Sequence, residues 1–200
     1  VVSWQSNHQV ENGYDIYAKI YSAEGVVLKS EFLLHSITDS EQATPNIPSL
    51  STGGFATSWV TTDAAGKASV AVRTFDQNGK AVLTQDLTIK EGNLTVGSKP
   101  EVAGLDDGSF VLVWASDDGQ TSAIYTSRYD QDGNAIFEEQ EISSSYTSVQ
   151  TEPHIVALED GGYLVSWTDA NPGTGEASVY AQQFDENGQS VNGGFEVGVV

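Results

Sequence analysis

The run PEVAGLDDGSFVLVWASDDGQTSAIYTSRYDQDGNAIFEEQEI, residues 100–142, decides the fold. It begins on Pro100, turns at Asp106-Asp107-Gly108, and continues as the apolar segment Phe110-Val111-Leu112-Val113-Trp114. A polar loop, an alternating stretch ending on Tyr129, the turn Asp130-Gln131-Asp132-Gly133 and an acidic segment complete it. Related copies occupy residues 45–89 and 153–197, and the chain opens inside a fourth. Trp4, Trp59, Trp114 and Trp167 step by 55, 55 and 53 residues. Tyr21, Phe75, Tyr129 and Phe184 step by 54, 54 and 55, and Gly25, Gly79, Gly133 and Gly188 keep the same period. Several anchors on one period mark tandem structural units. We number them 1–44, 45–99, 100–152 and 153–200, one repeat domain spanning residues 1–200.

Each unit reads as four short strands, a to d. Strand a follows the proline, at 46–50, 101–105 and 154–158. Strand b is the apolar segment ending on tryptophan; an apolar run bounded by turns predicts a strand covered on both faces. Strand c alternates and ends on the aromatic anchor. Strand d is polar, which suits an exposed edge. Between c and d, Asp76, Asp130 and Asp185 cap tight turns through their carboxylates, and Gly79, Gly133 and Gly188 supply a positive φ. In the first copy Ser22 replaces the capping Asp. No helical periodicity competes with this pattern. The expectation is an all-β chain: a β-propeller of about four four-stranded antiparallel blades, or part of a larger array. The first copy lacks a strand a, so its blade is expected to be incomplete. A β-solenoid is the main rival, disfavoured because tight hairpins require antiparallel neighbours.

Composition excludes some functions. Eight basic and 28 acidic residues give a net charge of −20. Such a surface disfavours nucleic acid and anionic membranes, and it attracts divalent cations. There is no cysteine, so disulfides, thiolate catalysis and cysteine zinc sites are absent. No apolar run is long enough to span a membrane. The chain also lacks methionine and opens inside a repeat, which suggests an excised or processed piece. A core of useful size is within reach, since ~200 residues bury roughly 70% of the unfolded surface.

Alternating strand directions put the a–b and c–d turns on one face. The b–c and d–a loops lie on the other, and they differ most between copies. Binding is usually built on such variable loops. Asp63, Asp117, Asp118, Asp169 and Asn171 stand in or beside the b–c loops, with His8 at the matching place in the first copy. Calcium takes six to eight oxygens from such groups, so these residues are candidate metal ligands; the competing reading is ordinary turn chemistry. Tyr14 and Tyr146 are candidate ligand-stacking aromatics in loops. The tryptophans either stack on sugar or fill the core, and their place on the most apolar strand points to the core. His8, His35 and His154 hold different repeat positions. Arg73 and Arg128 hold the same one, as scaffold residues would. Asn93-Leu94-Thr95 matches a glycosylation sequon.

Glu159-Asp160-Gly161-Gly162-Tyr163-Leu164-Val165-Ser166-Trp167, Phe184-Asp185-Glu186-Asn187-Gly188 and Gly194-Phe195-Glu196-Val197 carry a resemblance. They are similar to ~54-residue β-propeller-like tandem repeats of large secreted or surface-attached bacterial proteins, often found beside calcium-binding RTX repeats and adhesin modules. The RTX nonapeptide itself is absent. The resemblance implies a bacterial, secreted or cell-surface location. The calcium sites of those neighbours do not carry over, and the expected function is a non-enzymatic adhesion or ligand-binding module with a glycan or protein surface as partner, calcium at the b–c loop acids being its candidate stabiliser. A carbohydrate-active, glycoside-cleaving propeller and a structural spacer are the alternatives.

Overall fold

The turns fold as their chemistry dictates. Asp76 Oδ1 accepts the N–H groups of Asn78 and Lys80 at 2.8 and 2.9 Å, and Asp185 Oδ1 those of Asn187 and Gln189 at 2.9 and 2.8 Å. In the first copy Ser22 Oγ caps Glu24 and Val26 at 3.2 and 3.3 Å. Gly79 follows with φ +70°, a conformation that costs a side-chain-bearing residue. The computed structural model describes residues 1–7, 13–38, 40–92, 94, 98–117, 121–143 and 148–199. Among them every regular element is a strand.

Strands β1 (Val2–Ser6), β2 (Asp15–Tyr21) and β3 (Val27–Leu33) form blade 1. Blade 2 is β4 (Glu41–Asn46), β5 (Phe55–Thr62), β6 (Ala68–Phe75) and β7 (Leu87–Glu91). Blade 3 is β8 (Glu101–Gly104), β9 (Phe110–Asp117), β10 (Ser122–Tyr129) and β11 (Ala135–Glu141). Blade 4 is β12 (Val149–Ala157), β13 (Tyr163–Ala170), β14 (Ala177–Phe184) and β15 (Ser190–Val199). Neighbours within each blade are antiparallel, and a single parallel pairing, Ser122 with Val149, links blades 3 and 4. The all-β class and the meandering blades are as the repeat predicted, including the three-stranded first blade.

In blade 3 strand a starts at Glu101, after Pro100, as expected. In blades 2 and 4 it begins before its proline, so that Pro45 lies inside β4 and Pro153 inside β12. The residue before each proline takes a positive φ, +55° at Thr44 and +52° at Glu152, and the pairing register shifts there. Proline has no N–H to give a ladder, so the chain places it at a bulge and resumes pairing beyond.

Period-two alternation decides which blade each side chain meets. Phe55, Trp59, Ala71 and Phe75 of blade 2 pack with Ile16, Ala18, Ile20 and Leu34 of blade 1. Their neighbours Ala56, Val70 and Val72 face the other way, onto Phe110, Leu112 and Trp114 of blade 3. Val111, Val113 and Ile124 of blade 3 in turn meet Tyr163, Val165 and Trp167 of blade 4. Strand b of blade 3, β9, is therefore apolar from Phe110 to Ala115 because each of its faces has its own partner blade. Trp59, Trp114 and Trp167 are buried, as the core reading of the tryptophans expected, and Trp4 is half-buried.

Candidate functional site

The cross-strand partner of each tryptophan sets its surroundings. Trp4 lies opposite Tyr17, Trp114 opposite Tyr125 and Trp167 opposite Tyr180, while Trp59 faces Ala71. The three Trp–Tyr pairs stack with centroids 6.1–6.2 Å apart. At Trp167 and Tyr180 the stack borders a groove of about 380 Å³ on the b–c and d–a side of blade 4. Ser143 and Ser148 reach it from the loop entering blade 4, Gln150 from β12, and Gly194 from β15. Asp169, at the end of β13, closes one wall.

The polar wiring is uneven. Gln150 is buried, and its Nε2 donates to Asp169 Oδ2 at 3.0 Å. Its backbone is locked to Ser122: Gln150 N–H donates to Ser122 Oγ at 2.8 Å, and that hydroxyl donates to Gln150 O at 2.7 Å. Gln150 Oε1 and Trp167 Nε1 are both buried with no hydrogen-bond partner among the described residues. A buried polar atom left unpaired costs ~1–3 kcal/mol, and native structures hold few of them.

Two of the residues chosen from sequence, Asp169 and Asn171, therefore line this groove. Asn171 Oδ1 accepts the N–H groups of Gly173 and Thr174 at 2.8 and 3.3 Å, which is turn capping. Asp63, in blade 2, does likewise for Ala65 and Lys67, both at 2.9 Å. Asp117 ends β9, half-buried and opposite Ser122 in the ladder. Among the described residues no group of three or more His, Cys, Asp or Glu side chains gathers at a metal-binding spacing. Tyr14 is 38% exposed, away from this groove, and its carbonyl accepts Gln42 N–H at 2.7 Å beside blade 2. Asp118, Tyr146, His8 and Asn93 lie outside the described residues. His35 and His154 sit in different blades. His35 Nε2 is 3.1 Å from Asp15 Oδ1, close enough for charge pairing but outside hydrogen-bond geometry. His154 Nδ1 is 2.9 Å from Glu101 Oε1.

Sequence reasoning missed Gln150, Tyr180 and Gln182. A signal for the first was present. Gln42 and Gln150 each stand 17 residues before their tryptophan, and the residue two after the tryptophan reads Ser6, Thr61, Ser116 and Asp169. The last copy alone puts an acid there.

The opposite face is braced by an arginine that, with Asp107, Gly161 and Glu186, lines a second groove of about 420 Å³. Arg128, 5% exposed, donates from Nε to Ser109 Oγ at 2.9 Å and from Nη2 to Asp107 Oδ2 at 2.8 Å. Its Nη1 reaches Glu186 O of blade 4. Burial works against the charge on Asp107, but the hydrogen bonds from Ser109 and the Arg128 guanidinium outweigh it and hold that carboxyl below the usual range. Arg73 braces within blade 2, donating to Leu83 O and Thr84 O at 2.9 and 3.0 Å. Both arginines are scaffold, in keeping with their shared repeat position.

No family model and no curated protein matches this chain. Solved structures do match in fold. An endo-arabinase from Bacteroides thetaiotaomicron aligns at TM-score 0.54 and 13% identity, over 95% of this chain and 76% of its own. The Hadza microbial sialidase aligns at 0.63 and 12%, over 98% and 43%. The α-L-arabinanase of Penicillium chrysogenum, solved with arabinobiose, aligns at 0.57 and 11%, over 97% and 62%. The chain thus spans less than two thirds of the latter two. At these identities the likeness is one of fold: an all-β chain built of propeller blades, similar to those of carbohydrate-active propeller enzymes.

Proposed function

We propose that this chain is a carbohydrate-recognising propeller module and that the groove beside Trp167 and Tyr180 is its binding site. The observation that carries the reading is an aromatic stack bordering a groove, two of whose lining residues, Trp167 and Gln150, hold a buried donor and a buried acceptor with no partner among the described residues. Sugars offer the matching chemistry, with apolar C–H faces and a rim of hydroxyls that donate and accept. The fold likeness to an endo-arabinase, an arabinobiose-bound arabinanase and a sialidase supports it. Work outside a bacterial cell, as the repeat resemblance implies, fits this role. Screening the chain on a glycan array and by calorimetry with arabinobiose tests it. Saturable glycan binding that weakens in Tyr180→Ala supports the site; no binding to any glycan removes the proposal.

Glycoside cleavage is the second reading, favoured by the same three neighbours. Cleavage ordinarily needs two carboxyl groups about 5–9.5 Å apart. Among the described residues lining this groove Asp169 is the one carboxylate, so binding without cleavage is the reading we prefer. Release of reducing ends from arabinan or a sialoside by the purified chain would reverse that preference.

A further inference from the structure

Blades 2 and 4 carry the same Trp–Gln pair, wired differently. In blade 2, Trp59 Nε1 donates to Gln42 Oε1 at 2.6 Å. Gln42 Nε2 donates to Ser40 Oγ at 2.7 Å, and that hydroxyl meets Thr61 Oγ1 at 3.0 Å. The chain of bonds is closed, and Gln42 and Trp59 are both fully buried. In blade 4 the place of Thr61 is taken by Asp169. A carboxylate only accepts, and Gln150 gives it its NH₂ group, as Gln42 gives its own to Ser40. Among the described residues neither the Gln150 carbonyl nor the Trp167 N–H has a partner. Trp114 N–H of blade 3 is also unpartnered, but Gly97, at the glutamine position, lies outside the described residues.

We propose that Trp167 Nε1 and Gln150 Oε1 form a subsite for two adjacent hydroxyls of an uncharged sugar, with Asp169 as a third, acceptor group beside them. The proposal rests on the carbohydrate reading above and names its ligand class. One hydroxyl accepts from the indole N–H; its neighbour donates to the Gln150 carbonyl. Asp169 takes further hydroxyl protons on its remaining lone pairs. The same carboxylate repels sugar acids, no Lys or Arg is among the groove's described lining residues, and the chain's charge of −20 adds to the repulsion.

The test uses the ¹⁵N-labelled chain, whose four tryptophans give four indole signals. Trp167→Phe assigns the relevant one. Methyl galactoside, methyl xyloside and methyl arabinofuranoside are titrated beside galacturonate. A neutral glycoside is expected to move the Trp167 signal and leave that of Trp59, already bonded to Gln42, in place; galacturonate is expected to bind at least about tenfold more weakly. Asp169→Thr, which restores the blade 2 pattern, and Gln150→Leu, which removes the acceptor, are each expected to weaken neutral-sugar binding about tenfold. The unshifted indole signals report that each variant is folded. Glycoside binding that spares the Trp167 signal, equal binding of galacturonate, or undiminished binding in both variants would overturn the subsite while leaving a carbohydrate module in place. A Trp167 signal unmoved by every glycan that the array and calorimetry also fail to detect would overturn both, leaving a buried water as the partner of these atoms.

Discussion

Gln150 and Asp169 are joined by a 3.0 Å hydrogen bond from amide to carboxylate, while Trp167 has, among the described residues, no partner such as Gln42 gives Trp59. Nineteen residues separate the two in sequence, on strands β12 and β13 that pair directly, Gln150 opposite Asp169.

The closed network has a measurable value. Gln42→Leu removes the acceptor for the Trp59 indole and leaves that N–H buried and unpaired. A loss of ~1–3 kcal/mol is expected in urea denaturation. Gln150→Leu, whose carbonyl has no partner among the described residues and whose NH₂ meets the half-buried carboxylate of Asp169, is expected to cost less; equal losses would contradict the difference in wiring.

The tryptophans are not equivalent despite their shared repeat position. Trp59 is fully buried between blades 1 and 2, so Trp59→Ala is expected to cost ~3–5 kcal/mol. Trp4 is half-buried on blade 1, so Trp4→Ala should cost clearly less, on the order of 1 kcal/mol by the area it removes from water. Chemical denaturation of the two variants side by side gives the comparison.

Arg128, held by Asp107 and Ser109 of its own blade, ties blade 3 to blade 4 through Glu186 O. Arg128→Met keeps its apolar stem and removes all three bonds. We expect a loss of ~2–4 kcal/mol, since a buried hydrogen-bonded ion loses its partners. The rate of amide exchange in β12 and β13 should rise more than in β5 and β6, which a purely global destabilisation would not produce.

Alkaline stability hinges on Tyr163. Burial pushes its phenol up from 10.0 to about 12, and its hydroxyl has no partner among the described residues. The folded chain therefore holds the proton that the unfolded chain releases. This contribution is complete below pH 10 and is lost as pH rises from 10 toward 12. About 2–3 kcal/mol is at stake at the upper end. Tyr163→Phe is expected to match or exceed the parent's stability at pH 7 and to lose less between pH 9 and 11, read by urea midpoints across that range.

Calcium would need oxygens that are free to turn toward it. Asp63 Oδ1 and Asn171 Oδ1 each cap two backbone N–H groups, and Asp169 holds Gln150. Melting curves in millimolar calcium and in chelator are expected to coincide. A clear rise in melting temperature with calcium would locate a site beyond these three residues, with Asp117 the first to mutate.

The repeat, the strand pattern and the turns were legible because they are local. A Trp period of 55, 55 and 53, an Asp whose carboxylate caps its own turn, and a glycine with positive φ need no distant partner to be read. The tryptophans' core role followed from the apolar run around them. The bulges at Thr44 and Glu152 were not read, because strand a pairs upstream of its proline only once strand b lies beside it. Nor was the groove. Asp169 and Asn171 could be chosen as polar residues near a loop, but whether a side chain caps a turn, fills a core or opens a pocket depends on what stands opposite. Gln42 and Gln150 are the same residue at the same distance from tryptophan; only the pairing of β12 with β13 puts an acid across from one of them, and only the folded contacts show that the Trp59 N–H is paired and that the Trp167 N–H, among the described residues, is not.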